Sequence, residues 1–363
     1  MTLFDKTLFD SPAFEAHESV QASFDAATGL KTIIAIHSTA RGPGAGGCRM
    51  WPYSTASAAL DDVLRLSRAM SYKNAMADIP LGGAKAVIVG DSRTDKTPAL
   101  FEAFGRAVDQ AGGRYWAAED VGTSPADMVH ARKSTRYVAG LDGHAAASGD
   151  PSPVTAEGVF RGIELSVKRA LGRSLDGVTV AIQGVGHVGG FLAEKLHAAG
   201  AKLIVADVNT AAVQRLVAIL GAEAVAPDAI FDAPAEVFAP CALGGAVTAQ
   251  TLDRLSAKVI AGGANNQLAS PDVGRTLHAR GILYAPDYVI NGGGIVNVAG
   301  EIRALEAGEA FDPAWVAGKL DRLMQTLDEV FDRAAAEGRP THDVADEMAR
   351  ARIAGASGAA AAN

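Results

Sequence analysis

Five short apolar runs, Val178 to Gln183, Lys202 to Ala206, Glu236 to Ala239, Lys258 to Ala261 and Ile282 to Pro286, are separated by amphipathic stretches. This alternation predicts a parallel sheet covered by helices, because parallel strands need long crossovers that pack on the sheet faces. The first run ends in Gly184-Val-Gly186-His-Val-Gly189, which opens the helix-compatible stretch Phe191 to His197. In such a strand–turn–helix setting Gly184 permits the tight turn, Gly186 lets the backbone approach a pyrophosphate, and Gly189 lets the helix pack on the sheet. The helix N-terminus adds amide donors and positive potential for phosphates. The second run leads to Asp207, whose carboxylate suits ribose hydroxyls and repels a ribose phosphate. Glycines that only shape a turn need neither the second strand nor the acid, so the expectation is a Rossmann-type domain that binds NAD, with His187 and Val188 in the loop beside it. Nothing in its position makes His187 catalytic.

With 363 residues, 48% apolar and 20% charged, the chain has material for about two packed domains. The β-branched run Lys31 to Ile36 reads as a strand entering the turn-rich Arg41 to Gly47. Between Ser57 and Ala77 no proline occurs, and Val63, Leu66 and Met70 fall at the spacing of one buried helical face. Ala86 to Val89 and Arg114 to Ala118 read as further strands, and Pro98 starts a helix through Phe104 and Val108. The Gly-, Ala-, Ser- and Pro-rich segment Gly143 to Pro153 marks a domain boundary. A helix follows from about Thr155 to Leu171. Long helical patterns occupy Pro313 to Arg352, and the small-residue tail Ala356 to Asn363 is expected to fray.

Lys73 continues the Val63, Leu66, Met70 series and so should emerge from an apolar helix face, where a lysine needs a partner. Lys85 lies in Leu81-Gly-Gly-Ala-Lys-Ala-Val-Ile, a setting that can strip water from an ammonium and suit it to acid/base work. Either lysine alone would be read as snorkelling to solvent; the pair beside a glycine-rich turn favours a site. Asp120 stands at a probable strand end, where a carboxylate can act chemically or simply cap a turn.

A formal charge of −8 and pI near 5.5 give no general attraction to nucleic acid or anionic membranes. Cys48 and Cys241 are too isolated for a disulfide framework, and the eight histidines show no metal-ligand spacing, so no metal is expected. The start Met-Thr-Leu-Phe-Asp-Lys lacks a targeting pattern and no stretch resembles a membrane span, which reads as a cytoplasmic protein.

The whole sequence resembles the Glu/Leu/Phe/Val amino-acid dehydrogenase family, most closely its leucine dehydrogenase branch. The matching stretches are Gly46-Gly-Cys-Arg-Met-Trp51, Ser71-Tyr-Lys-Asn74, Leu81-Gly-Gly-Ala-Lys85, Ala118-Glu-Asp-Val-Gly-Thr123, Ser152-Pro-Val-Thr-Ala156, Gly184-Val-Gly186, Ala239-Pro-Cys-Ala-Leu243, Gly263-Ala-Asn-Asn-Gln-Leu268 and Tyr284-Ala-Pro-Asp-Tyr-Val-Ile-Asn291. The resemblance implies an α/β protein of two domains separated by a cleft: residues 1–147 plus about 335–363 for substrate and oligomerisation, and 148–334 for NAD. It implies that Lys73 binds the substrate carboxylate, Lys85 is the acid/base that activates water, and Asp120 exchanges protons with the substrate amine. Thr155, Cys241, Ala242, Ala264, Asn265 and Asn266 would stand on the cofactor side. Ala45, Gly46, Met70, Ala118, Asn291, Ile295 and Val298 would line the substrate pocket. The implied reaction is reversible oxidative deamination of an L-amino acid to a 2-oxo acid and ammonia by a homo-oligomer.

The sequence departs from the branch at two points. Ala84 stands where many leucine enzymes have a third glycine and glutamate enzymes commonly have alanine, which leaves the chemistry unaffected. Ala45 stands where branched-chain enzymes carry leucine and glutamate enzymes a lysine. Without a cation there a second substrate carboxylate would be buried unpaired, so an apolar substrate is expected. The small alanine deepens the pocket while Ile295 and Val298 keep the opposite wall aliphatic. Leucine, valine and isoleucine are therefore favoured, with phenylalanine the alternative. Outside the enzyme class, a non-catalytic NAD-binding sensor would be expected to lack Lys73, Lys85 or Asp120, and all three are present.

Overall fold

The computed structural model describes residues 8–242 and 244–361, the last five by backbone alone. Expectations placed on Met1 to Lys6, Leu243 and the final two residues lie outside the described part. The chain divides into two compact units, residues 1–150, 297–316 and 349–363 in the first, and 151–296 and 317–348 in the second. The expected limits at 147 and 335 differ from these, since residues 297–316 join the first unit and 335–348 the second.

The first unit contains β1 (Ser19–Asp25), β2 (Leu30–Ser38), β3 (Gly44–Trp51), α1 (Ala56–Met76), β4 (Gly82–Val89), α2 (Pro98–Asp109), β5 (Tyr115–Glu119) and α3 (Pro125–Arg132). Its five strands run in the order β1-β2-β4-β3-β5. The β1-β2 and β2-β4 pairs are antiparallel, whereas β4-β3 and β3-β5 are parallel. Thr55, Thr97 and Ser124 start the three helices, each side chain accepting a backbone N–H of the first turn. Val63 and Leu64 of α1 pack on Ala35 and Val87 at one sheet face. Phe101, Phe104 and Met128 of α2 and α3 pack on Met50 and Ile88 at the other. Complete burial of such side chains contributes roughly 1.5–3 kcal/mol each.

The turn expected at Arg41 to Gly47 ends early, because Gly44 to Gly47 already belong to β3. Glycine composition suggested a loop, but here the glycines serve close packing of backbone. A Cβ at Gly46 would lie 2.0 Å from the Ala84 carbonyl oxygen, and one at Gly47 would lie 2.3 Å from that of Glu119.

The second unit contains α4 (Ser152–Leu171), β6 (Thr179–Gln183), α5 (His187–Ala198), β7 (Lys202–Ala206), α6 (Thr210–Leu220), β8 (Glu223–Ala224), β9 (Val237–Pro240), α7 (Ala249–Arg254), β10 (Val259–Ile260), α8 (Pro271–Ala279), β11 (Leu283–Tyr284) and α9 (Asp287–Ile290). Its six strands are all parallel, in the order β11-β10-β9-β6-β7-β8. Counted from β6, this is the doubly wound dinucleotide-binding order, which reverses between β6 and β9.

Three helices complete the chain: α10 (Gly293–Ala307), α11 (Pro313–Glu337) and α12 (Thr341–Ala361). The expected fraying of the tail is replaced by helix to Ala361. Polar contacts explain the interleaved assignment. The buried Glu301 carboxylate of α10 accepts the backbone N–H of Leu141 (3.1 Å) and the backbone N–H and hydroxyl of Ser148 (3.1 and 2.6 Å). Arg352 of α12 donates to the last carbonyls of α1, those of Ala75 and Met76, both at 3.2 Å. In the second unit Arg161 and Arg169 of α4 hold Asp321 and Asp328 of α11 (2.6 and 2.9 Å), and Thr341 donates to the Tyr284 carbonyl. Among the described residues no helix is long and apolar enough to cross a membrane, and no group of side chains is arranged to hold a metal ion.

Candidate active site

Lys85 sits in β4, where strand alternation puts it on the same face as Gly83 and Val87. That is the α1 face. Val87 packs with Val63 and Leu64, and a Cβ at Gly83 would lie 2.1 Å from the Ser71 nitrogen. Glycine at 83 thus lets the turn of α1 that carries Met70 and Lys73 lie directly on the strand that carries Lys85. Lys85 is 6% exposed, while Lys73 and Met70 are half-buried.

The partner of Lys85 is Asp120, one residue beyond β5, with Nζ 3.1 Å from Oδ2. Arg49 of β3 approaches the same Oδ2 through Nε, also at 3.1 Å. Burial opposes ionisation of Asp120, but the charges of Lys85 and Arg49 outweigh it and hold the carboxyl below its usual range. The turn after β5 is closed through backbone and Thr123, whose hydroxyl accepts the Asp120 N–H and donates to the Cys48 carbonyl. Hence the Asp120 carboxylate does more than cap a turn: it joins two cations.

Of the expected pocket residues in this unit, Ala45 and Ala118 are buried. Ala45 pairs in register with Gly83 on one side and Trp116 on the other, so its methyl shares the face of Lys85. A Cβ on Gly46 would touch Met70 Cγ at 3.0 Å, which brings those two positions together. Two residues with no expected role belong to this neighbourhood. Arg49 is one. Trp116 is the other, 2% exposed, with an indole N–H that has no hydrogen-bond partner. An arginine and a tryptophan in strands made mostly of small residues were the available signals.

In the second unit the expected cofactor residues gather at the carboxyl ends of β6, β7, β9 and β10, the side of such a sheet that takes ligands. The three glycines differ in what they permit. Gly184 has φ +91° and its missing Cβ would strike Ala242 at 2.7 Å. Gly189 opens α5 so close to the turn that a Cβ would lie 2.0 Å from the Gly184 carbonyl oxygen. Around Gly186, by contrast, nothing lies within 4 Å of a Cβ position. That open space, at the N-cap of a twelve-residue helix, fits a pyrophosphate.

Asp207 accepts the Val185 and Asn209 N–H groups (2.7 and 2.8 Å), one on each oxygen, so it braces the turn as well as facing it. Val188 and Cys241 meet at Gly263, whose N–H donates to the Cys241 sulfur at 3.3 Å. Asn291 donates to the carbonyls of Gly263 and Ala264 and to Asn265 Oδ1 (2.9 Å), while its own buried Oδ1 has no partner. An orphaned acceptor there suits a donor on a bound ligand. His187, Ala242, Asn265 and Asn266 are exposed, and the Thr155 hydroxyl donates to the Pro151 carbonyl at 2.9 Å beside Gly294. Ile295 and Val298 are half-buried and three residues apart on α10, the spacing of one helix face.

A family profile described as Glu/Leu/Phe/Val dehydrogenase, dimerisation domain, matches residues 14–137, and one described as Glutamate/Leucine/Phenylalanine/Valine dehydrogenase matches 148–215 and 209–360. The chain is 48% identical to a leucine dehydrogenase of Geobacillus stearothermophilus, over 93% of this chain and 90% of that one. It is 42% identical to a phenylalanine dehydrogenase of Bacillus thermotolerans, over 96% and 91%. Among solved structures, L-tryptophan dehydrogenase from Nostoc punctiforme superposes with a TM-score of 0.81 at 38% identity, covering 94% of this chain and 97% of that one.

Proposed function

The chain belongs to the Glu/Leu/Phe/Val dehydrogenase family and is an amino-acid dehydrogenase, and from that premise we propose that it carries out the NAD-dependent, reversible oxidative deamination of an apolar L-amino acid, leucine, valine or isoleucine in preference to phenylalanine. The observation that carries the reading is the pairing, at 3.1 Å, of buried Lys85 with half-buried Asp120 on the sheet face that α1 covers. Bound NAD supplies the hydride acceptor, at C4 of its nicotinamide. Lys73 holds the substrate carboxylate, and Asp120 takes a proton from the substrate ammonium so that the nitrogen lone pair can assist loss of hydride from the α-carbon. Lys85 then removes a proton from water as it adds to the iminium carbon and later releases that proton to solvent; Asp120 returns its proton to nitrogen, and as the carbon–nitrogen bond breaks the departing ammonia takes the remaining hydroxyl proton and leaves as ammonium. The 2-oxo acid remains.

The cofactor reading is supported by the open space at Gly186, the orphaned Asn291 Oδ1 and the Asp207 carboxylate. The substrate reading is supported by Ala45, buried and apolar, which offers a second carboxylate no partner. Trp116, its register neighbour on β5, places a large buried side chain next to this small one, which favours aliphatic over aromatic substrates. Exposed Phe24 on the edge strand β1 and exposed Trp51 at the end of β3 support a homo-oligomer, which light scattering would test.

Initial rates for leucine, valine, isoleucine and phenylalanine, each with NAD and NADP, test the whole proposal. NADH formation fastest with an aliphatic substrate is expected, and equal use of NADP would contradict the role of Asp207. Lys85→Ala should lower kcat by about 10²- to 10⁴-fold while NAD affinity stays within about twofold. Retention of wild-type kcat would remove Lys85 from the chemistry.

A further inference from the structure

Asp120 receives both of its cations on one oxygen. Lys85 Nζ and Arg49 Nε each lie 3.1 Å from Oδ2. Arg49 is itself anchored at its other end, where Nη1 lies 3.0 Å from Asp62 Oδ2 on α1. Asp62 is in turn held by the Tyr53 hydroxyl (2.7 Å) and by Arg65 (2.6 Å). Burial raises the cost of charge on Asp62, yet these donors keep its carboxyl below the usual range, and burial of Tyr53 beside that carboxylate pushes the phenol up, so it stays a donor. The guanidinium therefore spans from the α1 end of the sheet face to Asp120 with a fixed anion at each end. A planar fork gripped at two points has little freedom to rotate.

We propose that Arg49 is the positioning residue of this site: anchored by Asp62, it turns Asp120 so that Oδ2 is committed to Lys85 and Arg49, and Oδ1 is the oxygen that trades protons with the substrate nitrogen. The inference rests on the reading that Lys85 and Asp120 handle the protons. An Asp120 without this second contact would follow Lys85 as that side chain gains and loses its proton, whereas the permanent charge of Arg49 keeps it in place through the cycle. The titratable groups that interact with Asp120 are Arg49 and Cys48 on β3, Lys85 on β4, Tyr115 on β5 and Tyr53 just beyond β3, with Asp62 and Arg65 of α1 acting through Arg49. Of these only Lys85 and Arg49 bring positive charge to its carboxylate.

The test is a double-mutant cycle in the full-length enzyme, read as kcat for oxidative deamination, its pH profile, and NAD affinity by fluorescence titration. Arg49→Gln should lower kcat by about 10- to 100-fold, the scale of a misaligned reacting group, with NAD affinity unchanged. Arg49→Lys, which keeps the charge and loses the fork, should recover part of the loss. The acidic limb of the kcat profile should move to higher pH in Arg49→Gln, because one of the two charges that keep Asp120 ionised is gone; a purely structural role would leave that limb in place. In an Asp120→Asn background Arg49→Gln should add less than about twofold, as expected for residues that act as one unit. An Arg49→Gln enzyme with wild-type kcat, or one whose loss persists in full in the Asp120→Asn background, overturns the inference. Wild-type kcat in Asp120→Asn itself would instead overturn the premise. Should Arg49→Gln fail to fold, Asp62→Asn releases the distal anchor and leaves Arg49 in place; a kcat loss of about 3- to 10-fold that vanishes in the Asp120→Asn background is expected, and undiminished kcat overturns the inference.

Discussion

Single side chains in this protein take their meaning from strand alternation. Lys85 faces α1 because Gly83 and Val87 do, and Ala45 shares that face because it pairs with Gly83. Trp116, in register with Ala45, qualifies the expectation that a small residue at 45 gives a deep pocket. If the pair sets the depth together, Ala45→Leu should overpack it and lower kcat/KM for phenylalanine relative to leucine, and Trp116→Leu should do the opposite. A change of a few methylenes is worth on the order of 1–3 kcal/mol each way, or about 10- to 200-fold in that ratio. A ratio moved by neither substitution would show that these residues do not border the substrate. Lys73, Lys85 and Asp120 could be singled out in the chain because lysines and carboxylates are rare among apolar neighbours. Arg49 and Trp116 could not be ranked, because their importance lies in a contact 71 residues away along the chain in one case and a ladder neighbour in the other.

Among the elements, the turn from β6 into α5 separates two demands placed on neighbouring glycines. Gly189 is required by the fold, since a Cβ there would strike the Gly184 carbonyl, whereas Gly186 has open space and an ordinary negative φ. Gly189→Ala should therefore lower the thermal midpoint, with a cost of order 1–3 kcal/mol typical of overpacking. Gly186→Ala should fold normally and bind NAD at least tenfold more weakly, because a methyl group would stand where the pyrophosphate approaches. Thermal melts and NAD titrations of both variants check this; equal stability of the two, or undiminished NAD affinity in Gly186→Ala, would contradict it. The motif and its flanking strand and helix were legible from local sequence. The strand identity of Gly44 to Gly47 was not, because what selects glycine there is the approach of β4 and β5, which composition does not record.

For the molecule as a whole, stability should depend on pH through two neighbouring histidines in the first unit, His17 buried and His37 half-buried. His17 and His37 meet edge to face with ring centroids 4.9 Å apart, His17 bonded to the Leu64 carbonyl and Ser67 of α1, and His37 to Ser71. Burial, reinforced by the neighbouring His17, pushes His37 down to about 4, against partial opposition from Glu15 and Glu18, and burial also lowers His17. Both rings are thus neutral in the folded chain where the unfolded chain, near 6.5, has begun to take up protons. Stability is complete above about pH 6.5 and falls as pH drops toward 4, by an amount on the order of 3 kcal/mol for His37. Asp120 and Asp62, lowered from ordinary carboxylate values, lose their contribution only at still lower pH. Urea unfolding between pH 8 and 4.5 should show this slope, and His37→Asn should flatten it. An unchanged slope in that variant would assign the pH dependence to other groups.

The sequence by itself determined the parallel, doubly wound domain, the glycine turn proposed to take a pyrophosphate, the family and the three side chains proposed for proton handling and substrate binding. Each rests on neighbours within one strand, turn or helix, or on residue types too unfavourable to bury without reason. Only the tertiary structure decided which segments share a unit. Residues 297–316 join the first unit where Glu301 takes up the amides of Leu141 and Ser148, and 349–363 join it where Arg352 caps α1. It also decided that Asp120 serves two cations through one oxygen. Those outcomes depend on satisfying a buried polar group with whichever partner the fold brings near, and distance along the chain carries no information about that choice.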